Sequence, residues 1–184
     1  KVIIPKIKNF KKLKEKINNS YLSSDINNEN MMFVLSLSKL LGIKEKSFIK
    51  SLETFVGLPH RHEIFLKKGN CTFINDSKAT SFQASKFALK SGRDIFWIVG
   101  GLPKKNDRFY LNNVRKNIIR SYIIGKNTNF FKKQLENKVS FYISKNLKNS
   151  VIKILQDIKS FKRKNNTILL SPASASFDQF LNFE

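Results

Sequence analysis

The sequence of 184 residues has a single cysteine, few arginines, few acidic residues and no long apolar run. One cysteine, Cys71, excludes a disulfide framework and a cysteine-based zinc site, and predicts a location in the reducing cytoplasm. Apolar runs reach only the length of IFWIV, residues 95–99, whereas a membrane-spanning helix needs about 20 apolar residues. The sequence opens on Lys1, without a charged-then-apolar signal segment. We therefore expect a soluble part of a longer protein.

Acidic residues are so few that the net charge is +22, from 35 Lys and Arg against 13 Asp and Glu. This charge is typical of nucleic-acid-binding proteins. However, arginine supplies only 6 of the 35 basic residues. Proteins that contact the phosphates and bases of nucleic acids favour arginine, because its guanidinium presents several N–H donors in one plane. Asn and Ile each occur 20 times, and AT-rich codons specify Lys, Asn and Ile. We interpret the charge as a compositional bias and expect no specific nucleic-acid partner, with nonspecific DNA binding at low salt.

The sequence before residue 57 has patterns that mainly predict helices. Residues 1–25 are basic and weakly patterned, with one candidate strand at KVIIPKI. Apolar spacing predicts helices over residues 30–41 and 44–55, with Phe33, Phe48 and Phe55 in the core. Glycine and proline in GLPHR, residues 57–61, then interrupt the pattern and mark a domain boundary.

Beyond that boundary, apolar strands alternate with helical segments. HEIFL and CTFIN flank a Gly-containing turn and predict a hairpin. Further strands are predicted at DIFWIVGG, RSYIIG, KVSFYIS and NTILL, and helices at residues 81–90, after Lys126, at residues 150–164 and from FDQFLNFE onward. This alternation predicts an α/β fold, with a mostly parallel sheet and helices on its faces.

Polar residues follow several of these strands. Asp76, Ser77 and Lys78 follow the second strand, and Gly100, Gly101 and Lys104 follow the third. Gly125 and the serines from 171 to 176 come after two others. Ligands in such folds bind at the carboxyl ends of the strands, so we expect a site for an anionic, amine-bearing or nucleotide ligand there. The paired glycines favour close approach of a ligand, while Asp76 and Ser77 are also typical helix N-caps. His60 and His62 would share one face of a strand, without a third metal ligand.

Four motifs resemble those of the Mur ligases. GLPHR, INDSKAT, GG followed by a lysine, and SPASASFDQFLNFE occur in the order of the UDP-N-acetylmuramoylalanine–D-glutamate ligase (MurD-type) family, and the resemblance covers residues 27–184. Sister ligases carry a Tyr-, His- or Pro-containing motif where this sequence has SKAT. The resemblance therefore favours D-glutamate as the added amino acid.

The resemblance implies a monomeric, cytoplasmic three-domain enzyme of peptidoglycan precursor synthesis. In that family ATP phosphorylates the carboxylate of UDP-N-acetylmuramoyl-L-alanine, and the amine of D-glutamate attacks the acyl phosphate. ATP and Mg2+ are the implied cofactors, with the magnesium ligands mostly outside this chain. Residues 1–56 match the end of the central P-loop ATPase domain. Residues 57–184 match the Rossmann-like carboxyl-terminal domain with its last helix truncated.

The matched positions imply roles for nine residues, none of them a metal ligand. The implied nucleotide contacts are Asn27, Asn30, Arg61 and Asp76. The implied contacts to D-glutamate and the substrate tail are Lys78, Thr80, Lys104, Ser176 and Phe183, of which Lys78 and Lys104 are also catalytic.

The sequence also departs from the family pattern. Ile26 stands where the family usually has His, Leu102 and Pro103 follow the paired glycines, and no Gly-x-x-Gly-Lys-[Ser/Thr] phosphate loop occurs. We therefore expect this chain alone to be inactive. A sister Mur ligase, a folylpolyglutamate-type ligase and a non-catalytic basic binding module stay open as alternatives.

Overall fold

The computed structural model describes residues 4–5, 7–19, 21–22, 27–110 and 113–181. The chain divides into two compact units, Lys1–Leu58 and Pro59–Glu184. In the described part of the chain, no helix is both long and apolar enough to cross a lipid bilayer.

Where the first unit is described, it contains three helices: α1 (Ile7–Lys14), α2 (Asn28–Leu40) and α3 (Glu45–Glu53). Each contributes apolar residues, one helical turn apart, to a small core. Members of this core are Phe10 and Leu13 from α1, Met31 and Leu35 from α2, and Phe48 and Leu52 from α3.

Two sequence predictions fail in this unit. The candidate strand at residues 1–7 is wrong where it is described, because Ile4 and Pro5 lie in no strand and Ile7 begins α1. Phe33 and Phe55 are exposed rather than in the core. The predicted core position therefore holds for Phe48, which packs with Leu52 one turn later, but not for Phe33 or Phe55.

The described residues of the second unit form a six-stranded sheet with three α-helices. A short 3-10 helix, Arg115–Asn117, precedes the fourth strand. The elements in chain order are β1 (Glu63–Lys68), β2 (Cys71–Asn75), α4 (Phe82–Ser91), β3 (Ile95–Gly100), β4 (Ile118–Ile124), α5 (Thr128–Leu135), β5 (Phe141–Lys145), α6 (Leu147–Phe161) and β6 (Asn166–Leu170).

The strand order across the sheet is β1-β2-β6-β3-β4-β5. β1 pairs with β2 as the predicted antiparallel hairpin, and all the other neighbours are parallel. The last crossover, through α6, inserts β6 between β2 and β3. As a result, the carboxyl ends of β2, β6, β3, β4 and β5 all lie at one edge of the sheet, which we call the carboxyl edge.

Side chains alternate between the two faces of β3 and form two separate cores. Trp97 and Val99 pack with α4 and α5 on one face. Phe96 and Ile98 pack with α6 on the other. Because both faces are covered, every residue of β3 is buried, which explains its unbroken apolar run. The prediction of a Rossmann-like α/β fold with helices on both faces is confirmed.

The helix predicted from Phe177 onward is wrong in its described part. Residues 177–179 form a single turn, in which the Gln179 and Phe180 amides donate to the Ser176 carbonyl at 2.9 and 3.0 Å. Asp178 uses its carboxylate elsewhere, as described below.

An ion-pair network ties α6 to the sheet. Asp157, whose side chain is only 6% exposed, accepts hydrogen bonds from Arg120 and Lys153 at 2.8 Å and from the Tyr122 hydroxyl at 2.7 Å. Burial acts to raise the pKa of Asp157, but the hydrogen bonds from Lys153, Tyr122 and Arg120 outweigh it and lower the pKa. The network therefore stabilises the fold only while this carboxyl is ionised.

Asp157→Asn is expected to lower the free energy of unfolding at pH 7 by about 3 kcal/mol, because it removes the buried carboxylate of the ion pairs and turns one acceptor oxygen into a donor that faces other donors. A lowered folded-state pKa contributes stability above the unfolded-state value near 3.9, and that stability is lost as the pH falls through the folded-state pKa. The variant should thus lose less stability than the parent on acidification. Urea titrations followed by Trp97 fluorescence measure this effect, with the exposed Glu136→Gln as control. Equal stability of parent and Asp157→Asn at pH 7 would contradict the prediction.

Candidate functional site

The carboxyl edge gathers the segments that follow β2, β3, β4 and β6. β1 runs antiparallel to β2 and pairs Glu63 with Asn75, so its beginning lies at the same edge. This arrangement brings Arg61 and His62 next to Asp76. This position of Arg61 could not be predicted from the sequence pattern alone, because it depends on β1 running antiparallel to β2.

Asp76 is buried and links three strands. Its Oδ1 accepts from the His62 amide at 3.1 Å, and its Oδ2 accepts from the Ser171 hydroxyl at 2.7 Å. The Ser171 carbonyl in turn accepts from the Trp97 indole at 2.7 Å. Burial raises the pKa of Asp76, opposed by the hydrogen bonds from Ser171 and His62 and by the charge of Arg61. Asp76 is thus a positioned acid beside a cation.

The segment after β2 is a turn rather than a helix start. The Ala79 amide donates to the Asp76 carbonyl at 2.9 Å, and the Lys78 amide donates to the His60 carbonyl at 3.1 Å. The N-cap of α4 is Ser81, whose hydroxyl accepts from the Ala84 amide. The alternative that Asp76 caps this helix is therefore wrong.

The segments after β3 and β6 lie side by side. Leu102 and Ala175 form an antiparallel bridge, with the Leu102 amide donating to the Ala175 carbonyl at 2.7 Å. This bridge places Ser176 beside the loop that carries Lys104. Lys104 itself is exposed, which leaves its ammonium accessible to a ligand.

A second contact ties the Lys104 loop to α4. The Phe82 amide at the start of α4 donates to Asp107 Oδ2 at 3.0 Å. Thr80 lies two residues before Phe82, and Lys104 lies three before Asp107. The Thr80 segment and the Lys104 loop therefore meet at one corner of the carboxyl edge.

Asp178 also lies at this edge, although the sequence pattern did not predict it. Its Oδ2 accepts from the Lys126 amide at 2.8 Å, which joins the segment after β6 to the one after β4. Asn127 adds a bond from its side-chain amide to the Gly101 carbonyl at 2.9 Å. Asp178 Oδ1 is buried without a hydrogen-bond partner among the described residues. The one feature of the sequence that could have indicated this role is that Asp178 lies two residues after the predicted site residue Ser176.

His60 and His62 do not lie on a strand, which corrects the prediction that they share a strand face. Both have positive φ, 63° and 50°, and occupy the turn before β1. Asn75 donates to His60 Nδ1 at 2.8 Å. Burial lowers the pKa of His62, against the opposing charge of Asp76. Within the described ranges, no three His, Cys, Asp or Glu side chains are grouped to hold a metal ion.

The structure thus brings six of the nine predicted site residues to one edge of the second unit, two belong to the first unit, and one lies outside the described residues. Asn27 lies just before α2 and Asn30 in its first turn, both in the first unit. Phe183, like Ile26, lies outside the described residues. The six at the carboxyl edge are Arg61, Asp76, Lys78, Thr80, Lys104 and Ser176.

The chemistry of this edge suits an anionic ligand. Arg61, Lys78 and Lys104 are exposed cations, Thr80 and Ser176 supply hydroxyls, and Asp76 adds one acceptor. Charged donors of this kind bind carboxylates and phosphates with strong hydrogen bonds. Such a set can hold carboxylates and phosphates next to a sugar hydroxyl.

No protein-family model matches the chain. Curated relatives do match it, among them three that are named UDP-N-acetylmuramoylalanine–D-glutamate ligases. The protein of Wolbachia sp. subsp. Brugia malayi is 39% identical over 158 residues, which is 86% of this chain and 32% of that protein. The Agrobacterium fabrum protein is 37% identical over 158 residues, covering 86% and 34%. The Nitrobacter winogradskyi protein is 40% identical over 144 residues, covering 78% and 31%.

The chain therefore spans about one third of the length of the curated relatives that it matches. Among solved structures, MurF ligase from Thermotoga maritima in complex with ADP has a similar fold, with a TM-score of 0.56 and 17% identity over 79% of this chain and 34% of that one. The sequence matches confirm the resemblance to the carboxyl-terminal part of the D-glutamate-adding Mur ligases, and the structural match confirms the fold.

Proposed function

We propose that this chain is the carboxyl-terminal part of an ATP-dependent ligase that adds D-glutamate to UDP-N-acetylmuramoyl-L-alanine. The γ-phosphoryl group of ATP passes to the substrate carboxylate, giving an acyl phosphate and ADP. The amine nitrogen of D-glutamate then attacks the acyl carbon, the bond from that carbon to the phosphate oxygen breaks, and the amine loses a proton. The supporting observation is that one sheet edge carries two groups of side chains. One is a pair suited to a nucleotide, and the other is a set of four suited to an amino acid.

The nucleotide-type pair is Arg61 and Asp76. Asp76 accepts one hydrogen bond on each oxygen, and each oxygen keeps a lone pair for a ribose hydroxyl. The Arg61 guanidinium suits phosphate oxygens. Mg2+ would neutralise the phosphates, with its ligands coming mostly from the part of the ligase outside this chain.

The amino-acid-type set consists of Lys78, Thr80, Lys104 and Ser176. D-Glutamate carries two carboxylates, and two lysines with two hydroxyls supply the charged and neutral donors that these need. The same cations stabilise the negative charge that develops on the oxyanion of the tetrahedral intermediate and on the leaving phosphate. No protein nucleophile is required.

The first unit supports its assignment as the tail of a larger ATP-binding domain. α2 and the residues after it expose a continuous apolar face, including Phe33, Leu37, Leu40 and Leu41, each more than half exposed. Apolar patches of this kind on a soluble protein mark surfaces that another part of the protein covers. The curated relatives are much longer than this chain, which matches about one third of them, and their additional chain would cover this face.

The test uses the full-length protein from its source cells, first by intact mass and then by phosphate release. We expect a mass well above 21.3 kDa and ATP hydrolysis that requires both UDP-N-acetylmuramoyl-L-alanine and D-glutamate. Incorporation of another amino acid would support a sister ligase instead. Absence of any substrate-dependent phosphate release would refute catalysis and leave a basic binding module.

Asp76→Asn in that enzyme is expected to raise the KM for ATP about tenfold or more, the worth of one charged hydrogen bond. It should change stability at pH 7 by less than about 1 kcal/mol, because burial raises the pKa of Asp76 and the ionised form is already disfavoured in the folded state. Asp94→Asn makes the same change at the other end of the sheet and serves as the control. An unchanged KM for ATP in Asp76→Asn would remove Asp76 from the nucleotide site.

A further inference from the structure

An open pocket of about 850 Å³ lies at the amino end of the sheet, opposite the carboxyl edge. We call it the amino-end pocket. It straddles the beginning of β4, with Lys90 from the last turn of α4 on one side and Arg163, just after α6, on the other. Because α4 and α6 cover opposite faces of the sheet, elements from both faces contribute to its lining. None of its lining residues belongs to the candidate ligase site.

The charge of this pocket is of one sign. Lys90, Arg115, Lys116 and Arg163 line it, and no acidic residue does. Among the residues that the structure describes, none of these four side chains forms an ion pair. Four cations in one concave surface repel each other, and an anionic ligand would relieve that repulsion.

Arginine makes this pocket different from the general lysine surface. The whole chain has only 6 arginines among 35 basic residues, yet Arg115 and Arg163 both line this pocket. A compositional bias toward lysine does not explain two arginines at one place. Their guanidinium forks match the oxygens of a phosphate better than an ammonium does.

The floor of the pocket is apolar and fixed. Ile118, Ile119 and Phe161 form it, and the Phe161 ring remains partly exposed. Arg120 stacks on Phe161 with its guanidinium carbon 5.4 Å from the ring centroid, and Asp157 holds Arg120 at 2.8 Å. An apolar floor beneath a cationic rim suits a ligand with a flat apolar part and a phosphate.

We propose that the amino-end pocket binds a small organic phosphate of the mononucleotide type. Arg115 and Arg163 contact the phosphate, and Phe161 contacts the base. The volume matches the range of about 300–1,000 Å³ that small-molecule sites occupy. This site is separate from the ATP site proposed at the carboxyl edge and does not depend on it.

The test is a titration of the full-length protein with UMP and with inorganic phosphate, followed by amide chemical shifts in buffer containing 150 mM salt. We expect shifts at residues 115–119 and 161–163, and UMP binding about tenfold tighter than phosphate because of the apolar floor. The double variant Arg115→Gln/Arg163→Gln should weaken UMP binding about tenfold or more. Lys132→Gln/Lys133→Gln removes the same charge from exposed positions of α5 and should change binding less than about twofold.

Three results would overturn the proposal. Equal weakening by both double variants would mean that only net charge matters. Shifts confined to residues 61–80 and 100–105 would place the nucleotide at the carboxyl edge. Single-stranded DNA that binds the pocket residues while UMP does not would make this surface a nucleic-acid contact. Trp97 fluorescence verifies that each variant keeps its fold.

Discussion

Lys104→Ala in the full-length ligase is expected to reduce kcat by about 100-fold or more, since loss of one donor to a developing oxyanion costs 10²–10³-fold. Lys104 projects from the loop after β3, next to Ser176, and is exposed. Its backbone carbonyl accepts from the Asp107 amide at 3.1 Å, which holds the loop whatever the side chain. Stability should therefore change by less than about 0.5 kcal/mol. Phosphate release under saturating substrates measures the effect.

The adjacent Lys105→Ala is the matched control, because it removes the same charge from the same loop. We expect it to keep turnover within about threefold of the parent, as for an exposed surface charge. Lys104→Arg should recover part of the activity, because it retains the charge but not the shape. Parent-like turnover of Lys104→Ala would remove Lys104 from the reaction. It would leave the D-glutamate specificity, which the amino-acid dependence tests, unaffected.

Local sequence signals were sufficient for most elements of the second unit. β3 is readable because both of its faces are buried and its residues are all apolar. The β1–β2 hairpin is readable because Gly69, at φ 57°, supplies the turn. α1 was missed because an eight-residue helix with four lysines carries too short an apolar pattern to recognise.

Long-range contacts could not be predicted from the same signals. The insertion of β6 between β2 and β3 leaves no trace in periodicity, yet it alone brings Ser171 within 2.7 Å of Asp76, 95 residues away. The predicted helix after Ser176 failed for the same reason. The Asp178 carboxylate accepts a hydrogen bond from the amide of Lys126, which is 52 residues away in the sequence. Motif resemblance located the site residues, and the sheet order explains why they meet.

The paired glycines do lie at the carboxyl edge, as predicted, but the structure gives a different reason for glycine at these positions. Gly100 and Gly101 were predicted to allow close approach of a ligand, but both are buried against the protein itself. A Cβ on Gly100 would collide with the backbone carbonyl of Ile124 in β4, and one on Gly101 would collide with the Ala175 carbonyl. The glycines therefore permit the strands and loops of the carboxyl edge to pack closely.

Gly100→Ala is consequently expected to lower the free energy of unfolding of the second unit by more than about 4 kcal/mol, the range of exceptional substitutions. Two costs add here. The φ of 141° at Gly100 is one that residues with a Cβ rarely adopt, and the colliding atom is backbone rather than a flexible side chain. Ile124 cannot retreat without breaking its pairing with Gly100 at the end of β3. Urea unfolding monitored by Trp97, the single tryptophan and fully buried, reports on this unit directly.

Gly69→Ala separates the two costs. Gly69 also has positive φ, 57°, but a Cβ there meets nothing within 4 Å, so its substitution measures backbone strain alone, about 1 kcal/mol. If Gly100→Ala costs no more than Gly69→Ala, the collision with Ile124 is relieved by a small shift and the packing argument fails. If it costs several times more, the close approach of β3 to β4 requires glycine. The positions of Lys104 and Ser176 then depend on a glycine that packs against the protein backbone.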